Sequence, residues 1–266
     1  NIGIAHTRYS TSYKKNKIST DLCQPFKGVN KTLGEFFVVH NGHINFPRRF
    51  YEKYGDDLND SQLIIKVLEE YLYNDWKEVI KLFCETVPGV YSLIIMSNYR
   101  LYALKDMFGL RPLCVGKNKL GYCVTSESIA LGDYSYLYEL NGGELAEISD
   151  YGVRRFTLIK HELNKCLFEY IYFLKGDSKI TEDINVNSVR YMFGNELARK
   201  ERTNIVDKTD ILVVGSPDTG IQSGIGFSEA LDLEYCQFVI KNKMYGRSFI
   251  LDSDESRREE CKNKML

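Results

Sequence analysis

The pattern of apolar residues changes near residue 161, and this change constrains the fold more than any other feature of the sequence. Before it, short apolar runs with Gly and Asn between them favour an antiparallel sheet, at 90–96, 100–104, 113–115 and 122–125. After it, an apolar run at 210–214 precedes a glycine-containing loop at 215–220 and a helical pattern at 221–231. A strand, a loop and a helix in this order are typical of α/β architecture with a parallel strand.

Three further segments carry clear signals of secondary structure. Apolar residues recur at helical spacing within 60–73, and either Asn59 or Asp60 is suited to cap that helix. A second helix is expected over 189–200, and a strand over 35–40 that ends at an Asn-Gly pair. The chain is therefore expected to mix α and β structure throughout.

The boundary between the two patterns lies between 155 and 168, where no segment rich in Pro, Gly or Ser marks it. We expect one domain at 1–160 and a second at 161–266. At 266 residues the chain is long enough for both to bury a core.

Composition excludes several classes of function. The formal net charge is only -1, so no basic excess favours nucleic acid as a partner. No apolar run approaches the roughly 18 residues of a membrane-spanning helix, and the first residues do not resemble a signal peptide. The seven cysteines are scattered without a C-x-x-C pair, which favours reduced thiols and a cytoplasmic location.

Arg8 is the first candidate for a binding residue. Thr7, Ser10 and Thr11 flank it, so a planar guanidinium and several hydroxyls are available to a carboxylate ligand. A surface arginine on a turn rich in Ser and Thr is the alternative interpretation, and the segment alone favours it.

The pair Asn41-Gly42 at the expected strand end has two interpretations. Asn-Gly is the commonest sequence of a tight hairpin turn. An Asn side-chain amide and a Gly backbone N–H are also suited to stabilise one developing oxyanion. His40 and His43 lack a Cys or carboxylate at ligand spacing beside them, so the sequence disfavours a metal site there. Asp60 either caps its helix or accepts a ligand ammonium group.

Together these segments resemble the class II, N-terminal-nucleophile glutamine amidotransferase domain. The resemblance is carried by Gly-Ile-Ala-His-Thr-Arg-Tyr-Ser-Thr from residue 3, Val-Val-His-Asn-Gly-His-Ile from residue 38 and Asn-Asp-Ser-Gln from residue 59. Later motifs follow in the order found in the amidophosphoribosyltransferase family, the glutamine phosphoribosylpyrophosphate (PRPP) amidotransferases of purine synthesis. These motifs are Lys-Asp-Met-Phe-Gly-Leu-Arg-Pro-Leu from 105, Thr-Ser-Glu-Ser from 125, Cys-Leu-Phe-Glu-Tyr-Ile-Tyr-Phe from 166, Pro-Asp-Thr-Gly from 217 and Lys-Asn-Lys-Met-Tyr-Gly-Arg from 241.

The resemblance implies a fold and a reaction. The fold would be an αββα sandwich glutaminase domain followed by a type I phosphoribosyltransferase α/β domain. The parent enzyme would hydrolyse glutamine and transfer the ammonia to C1 of PRPP. Partners implied are glutamine, PRPP, purine nucleotides as feedback inhibitors, and further copies of the chain in a homo-oligomer, a tetramer or a dimer.

The resemblance also implies roles for individual residues. Arg8, helped by Thr11, would bind the α-carboxylate of glutamine, and Asp60 its α-ammonium group. Asn41 and Gly42 would form the oxyanion hole.

A second set of roles concerns PRPP and cofactors. Lys241, Lys243 and Arg247 would belong to the loop that closes over PRPP, and Thr219 would place a hydroxyl on the accompanying Mg²⁺. Cys166 matches the first ligand of a 4Fe–4S cluster in one branch of the family, and a buried thiol is the alternative.

The sequence departs from the family pattern at both ends and at several sites. The family's nucleophile is an N-terminal Cys, whereas this chain opens with Asn1, and no acidic phosphate-binding stretch precedes Leu266. We therefore expect an internal fragment that is inactive by itself. Gln62 replaces a Glu and Lys243 an Arg, so a degenerate homologue that binds a nucleotide or a partner is the alternative function.

Overall fold

The computed structural model describes residues 2–7, 20–161, 166–246, 248, 251 and 253–265. The chain divides into two compact units, Asn1–Cys166 and Leu167–Leu266. Each unit is described by itself below. Within the described residues, no helix is long and apolar enough to cross a membrane.

The described residues of the first unit form three helices and nine strands. The helices are α1 (Arg48–Tyr54), α2 (Asp60–Glu70) and α3 (Trp76–Thr86). The strands are β1 (Phe26–Asn30), β2 (Gly34–His43), β3 (Val90–Ser97), β4 (Arg100–Lys105), β5 (Cys114–Asn118), β6 (Gly121–Thr125), β7 (Ser135–Glu139), β8 (Glu144–Ser149) and β9 (Gly152–Thr157). Short 3₁₀ helices lie at Thr20–Leu22 and Ser128–Leu131.

The strands of this unit form two antiparallel sheets. One has six strands in the order β1-β2-β3-β4-β8-β9, and the other has three in the order β6-β5-β7. The expected antiparallel pairing is therefore confirmed. The four apolar runs that predicted this pairing lie in two different sheets. Strands β3 and β4 pair in the six-stranded sheet, and β5 and β6 pair in the three-stranded sheet.

Two apolar layers hold the unit together. Helices α2 and α3 cover one face of the six-stranded sheet with fully buried side chains, among them Leu63, Leu68 and Ile80. A smaller cluster, which includes Ala103 and Val115, fills the space between the two sheets. Each fully buried Leu or Ile contributes about 1.5–3 kcal/mol. The order of layers is helix, sheet, sheet.

Helix α2 starts at a reciprocal pair of hydrogen bonds. The Asn59 side chain accepts from the N–H of Gln62 at 2.8 Å, and the Gln62 side chain accepts from the N–H of Asn59 at 3.0 Å. This is a capping box, with Asn59 rather than Asp60 as the N-cap. The Gln62 amide oxygen makes the bond that a Glu would make at this position.

The second unit contains α4 (Val186–Glu201), α5 (Ile221–Leu231) and α6 (Asp254–Lys264), with a two-stranded parallel sheet of β10 (Leu212–Val213) and β11 (Glu234–Tyr235). A π-helical turn at Glu169–Phe173 precedes them. The buried Arg190 guanidinium on α4 donates to the carbonyls of Tyr170 and Leu174, at 2.8 Å each. These bonds anchor the turn to α4.

Two expectations for strands and helices differ from the structure. The strand expected at 210–214 is reduced to two residues and is not buried, since Leu212 is 40% exposed. Among the described residues it pairs only with β11, and Asp210 has a positive φ of 60° that interrupts extended backbone. The helix expected to reach residue 73 ends at Glu70, because the Asn30 side chain donates to the carbonyls of Leu68 and Tyr71.

Candidate functional site

Asn41 and Gly42 lie inside a strand, so the hairpin-turn interpretation of this pair is wrong. Strand β2 runs on to His43, and Asn41 is paired with Ser92 and Gly42 with Tyr91 of β3. The sequence signal was ambiguous because an Asn-Gly pair ends many strands. Here the long strand β3 continues the pairing beyond it.

Gly42 occupies a position that has no room for a side chain. A Cβ on it would overlap the carbonyl oxygen of Val90 and lie 2.7 Å from Cα of Tyr91. Both backbone polar groups of Tyr91 bond to Asp106, its N–H to the carboxylate at 3.1 Å and its carbonyl to the Asp106 N–H at 2.9 Å. Gly42 and Tyr91 therefore form a non-hydrogen-bonded pair, in which the two backbones approach most closely.

The same geometry determines where the N–H of Gly42 points. Polar backbone groups of alternate residues face the same side of a strand. The N–H and carbonyl of His40 face the β1 side, where they bond to the Gln24 side chain at 2.5 Å and 3.2 Å. The N–H of Gly42 faces the same side, beyond Phe26, where β1 pairing with β2 has ended. This backbone donor is thus aimed at the side of β2 where no strand among the described residues pairs with it.

Asp60 lies beside the end of β2. One of its carboxylate oxygens accepts from the N–H of Ile44 at 3.2 Å and is 3.7 Å from Nδ1 of His43. The other accepts from the N–H of Ser61 at 2.9 Å. The Asp60 side chain keeps 21% of its surface exposed, so it is accessible to a cationic ligand. Three residues of the expected glutamine site, Asn41, Gly42 and Asp60, therefore occupy one small region.

His40 is a buried imidazole within this region. Its Nδ1 lies 2.9 Å from the Ser61 hydroxyl, and its Nε2 has no hydrogen-bond partner among the described residues. Burial lowers the pKa of His40 from 6.5 to about 4, while the Asp60 carboxylate acts in the opposite direction. The imidazole is therefore neutral near pH 7.

Two residues of this region had no role in the sequence interpretation. Ser61 stands within the Asn-Asp-Ser-Gln motif, where its position beside Asp60 was the available signal. Gln24 belongs to no motif, and only the fold brings it to His40. Arg8 and Thr11 lie outside the described residues.

The second unit places Thr219 in a tight loop before α5. The N–H of Gly220 donates to the carbonyl of Ser216 at 2.8 Å, and the peptide bond between Pro217 and Asp218 is cis. Gly215 packs against Cα of Ile221 so closely that a Cβ would lie 2.7 Å from it. Thr219 thus lies two residues before the N-terminal end of an 11-residue helix, and such a helix end favours anions.

The cationic residues expected to bind PRPP have different surroundings. Nζ of Lys241 lies 3.0 Å from the Asp218 carboxylate, which links the Lys241 segment to the loop that carries Thr219. Lys243 is exposed. Arg247 lies outside the described residues.

The described residues contain no group of three or more His, Cys, Asp or Glu that could hold a metal ion. Cys166 is a half-buried free thiol. A 4Fe–4S cluster is normally held by four thiolates. No such group includes Cys166 within the described residues, and its role as a cluster ligand stays a prediction.

Similar proteins support this description of the fold. No family profile matches the chain. An amidophosphoribosyltransferase of Methanocaldococcus jannaschii is 34% identical over 96% of this chain and 58% of its own length. One from Rattus norvegicus is 34% identical over 94% of this chain and 53% of its own length.

Solved structures give the same result. Glutamine PRPP amidotransferase from B. subtilis, complexed with ADP and GMP, is 28% identical with a TM-score of 0.76, over 98% of this chain and 56% of that one. A structure described as the allosteric regulatory enzyme of purine biosynthesis is 28% identical with a TM-score of 0.71, over 91% of this chain and 53% of that one.

These likenesses define the class of the chain: a mixed α/β protein with an N-terminal-nucleophile glutaminase fold followed by a phosphoribosyltransferase fold. More particularly, the chain belongs to the amidophosphoribosyltransferase family. It spans about half the length of the curated relatives that it matches.

Proposed function

We propose that the protein takes ammonia from glutamine and transfers it to C1 of PRPP. Water and glutamine give glutamate and ammonia, and ammonia then displaces pyrophosphate from C1 to give 5-phosphoribosylamine. The observation that carries the proposal is the placement of Asn41, Gly42 and Asp60 at one end of β2. Relatives named for this reaction are 34% identical over nearly the whole chain, which supports the same assignment.

The first unit would bind and cleave glutamine. Asp60 accepts the α-ammonium group, and Arg8 with Thr11 binds the α-carboxylate. The N–H of Gly42 and the side chain of Asn41 stabilise the oxyanion that forms when the amide carbon is attacked. One such donor typically lowers the barrier by about 3 kcal/mol.

The second unit would bind PRPP. Lys241, Lys243 and Arg247 provide positive charge for the phosphates, and Arg247 adds a planar fork. Asp218 and Thr219 offer oxygen ligands of the type that Mg²⁺ prefers. Magnesium is commonly bound by one or two protein oxygens together with substrate phosphates, so two such residues suffice for a shared site. Mg²⁺ supplies charge neutralisation on the pyrophosphate leaving group when it is bound.

The finer assignments of domain, partner and location belong to the same proposal. Residues 1–160 form the glutaminase domain and 161–266 part of the phosphoribosyltransferase domain. Purine nucleotides act as feedback inhibitors, for which the B. subtilis complex with ADP and GMP is the supporting observation. The protein acts in the cytoplasm as a homo-oligomer. The alternative of a degenerate binding module gains no support from these comparisons.

The test is an assay of the protein expressed from its complete gene, supplied with glutamine, PRPP and Mg²⁺. Glutamate and pyrophosphate should appear in equal amounts. Arg8→Leu should raise the glutamine KM by about tenfold or more, since a charge-assisted pair contributes roughly 1.5–3 kcal/mol, while synthesis driven by added ammonia survives. Arg48→Leu is the control, because Arg48 is an exposed arginine outside the site. Arg247→Leu should reduce synthesis from both nitrogen sources.

Two results would contradict the proposal. One is a wild-type protein that releases no glutamate from glutamine. The other is an Arg8→Leu variant that loses the ammonia-driven reaction as fully as the glutamine-driven one.

A further inference from the structure

Gln24, His40 and Ser61 form a hydrogen-bonded cluster that none of the proposed substrate contacts uses. The Gln24 amide accepts from the His40 N–H at 2.5 Å, and donates to the His40 carbonyl at 3.2 Å and the Ser61 hydroxyl at 3.3 Å. The Ser61 hydroxyl also lies 2.9 Å from Nδ1 of His40. Each member therefore contacts both of the others.

Two members of the cluster, His40 and Ser61, are shielded from water, whereas Gln24 is partly buried. His40 is 4% exposed and Ser61 is 7% exposed. Burial keeps the imidazole uncharged near neutral pH, so its Nδ1 either donates to the hydroxyl or accepts from it. Hydrogen bonds in such a setting hold their geometry because no water competes for the partners.

The position of the cluster connects the two halves of the glutamine site. His40 comes immediately before Asn41 and Gly42 on β2, and Ser61 comes immediately after Asp60 on α2. The N–H groups of Ser61 and Ile44 hold the two carboxylate oxygens of Asp60. The Gln24–His40–Ser61 cluster thus ties the strand that carries the oxyanion donors to the helix that carries the carboxylate.

We propose that the Gln24–His40–Ser61 cluster is a positioning device for the glutamine reaction, which sets the distance between the oxyanion donors and Asp60. This inference rests on the proposed function. A substrate held at its ammonium end by Asp60 presents its amide carbon correctly only if that distance is fixed. A displacement of about 1 Å in such a site can reduce the rate by roughly 100-fold.

The test compares substitutions that keep or remove the contact between His40 and Ser61. His40→Asn places an amide near the position of Nδ1, whereas His40→Gln places it near Nε2 and removes the contact of residue 40 with the Ser61 hydroxyl. Ser61→Ala removes the hydroxyl directly. The matched control is Ser97→Ala, because Ser97 is also buried and its hydroxyl donates to the backbone carbonyl of Glu35 at 2.8 Å, on β2, the strand that carries His40. Glu35 lies five residues from His40, or about 16 Å along a strand.

The measurement is kcat and KM for glutamine in the protein expressed from its complete gene, beside the rate of the ammonia-driven reaction. We expect Ser61→Ala and His40→Gln to lower glutamine-dependent kcat/KM by about tenfold or more. The ammonia-driven rate should stay within about twofold, since ammonia does not need the oriented carboxylate. His40→Asn and Ser97→Ala should stay near wild type in both reactions.

Three results would overturn the inference while leaving the proposed function intact. These are unchanged glutamine kinetics in Ser61→Ala and His40→Gln, an equal loss of both reactions, and a loss in His40→Asn as large as that in His40→Gln. A wild-type protein without glutaminase activity would instead remove the proposed function, and the inference with it.

Discussion

At the scale of single residues, Gly42 shows how backbone approach can require one amino acid. Gly42→Ala should lower the free energy of unfolding by about 1–3 kcal/mol, the usual cost of forcing an extra atom into a packed site. The added Cβ would press on Val90 and Tyr91 and shift the Gly42 N–H, so glutaminase activity should fall as well. Denaturant unfolding followed by fluorescence of Trp76, the single tryptophan, checks the stability.

Gly34→Ala is the control for this substitution. Gly34 also has a positive φ, of 81°, but nothing lies within 4 Å of its missing Cβ. Its substitution should cost only the backbone strain, about 1–2 kcal/mol, and leave the glutaminase reaction unchanged. Equal activity losses in the two variants would show that the overlap at Gly42 does not matter.

Asp60 provides a residue-scale prediction about charge. Asp60→Asn keeps an oxygen for the N–H of Ile44 but removes the negative charge proposed to accept the substrate ammonium. Glutamine-dependent kcat/KM should fall by about 10- to 100-fold, the equivalent of 1.5–3 kcal/mol for a hydrogen bond between charged groups. Asp75→Asn is the matched control, since Asp75 caps the next helix by accepting from the N–H of Lys77. Similar kinetics for the two variants would argue against an ammonium contact at Asp60.

At the scale of elements, the sequence predicted α2, α4 and α5, whereas α1, α3 and α6 were not expected. Helix α5 has the bounds expected from its periodicity, and the capping signal before α2 was correct. These features depend on neighbouring residues in the chain. The end of α2 and the continuation of β2 past Asn41 depend on Asn30 and β3, which are distant in sequence.

The residues of the candidate site likewise differ in whether local sequence or long-range folding determines their position. Asp60, Asn41 and Gly42 belong to motifs, so a family resemblance was able to indicate them. Gln24 meets His40 only through long-range folding, and no local pattern marks it. The length of the strand expected at 210–214 was overestimated, because an apolar run does not specify how many neighbouring strands will pair with it.

The packing of α4 on α5 gives the element-scale prediction. A Cβ on Gly226 of α5 would overlap the carbonyl oxygen of Tyr191 on α4, and one on Gly194 of α4 would lie 2.8 Å from the N atom of Phe227. Gly226→Ala should therefore destabilise the second unit by about 1–3 kcal/mol, although alanine favours a helix by about 1 kcal/mol. Thermal unfolding followed by circular dichroism checks this. Met192→Ala on the exposed side of α4 is the control, and an unchanged midpoint for Gly226→Ala would contradict the close packing.

At the scale of the whole molecule, each unit contains the residues for one half of the proposed reaction. The proposed oxyanion donors and Asp60 lie in Asn1–Cys166, whereas Thr219, Lys241 and Lys243 lie in Leu167–Leu266. Each group is held by contacts within its own unit, such as Ile44 with Asp60 and Asp218 with Lys241. From the order of motifs we expect functional domains at 1–160 and 161–266, and this assignment stays a prediction.

The stability of the folded molecule should depend on pH through His40. Its pKa is about 4 in the folded protein against an ordinary 6.5, so between these values the unfolded chain binds a proton that the folded chain does not. Stability should therefore be complete above pH 6.5 and decrease as the pH falls towards 4. The decrease is about 1.4 kcal/mol per pH unit, or roughly 3 kcal/mol in all.

Other charged groups near His40 modify this dependence. Asp60 raises the pKa of His40, whereas His6, His43 and Arg111 lower it together with burial. Burial raises the pKa of Asp106, which gives a contribution of opposite sign just above its ordinary value of 3.8. The contribution of His40 is isolated by comparing wild type with His40→Asn, because asparagine does not titrate. The measurement is urea unfolding followed by Trp76 fluorescence at pH 5 and pH 7.5. The free energy of unfolding of His40→Asn, relative to that of wild type, should be higher at pH 5 than at pH 7.5. If the difference in free energy of unfolding is the same at both pH values, the buried neutral imidazole does not cause the acid sensitivity.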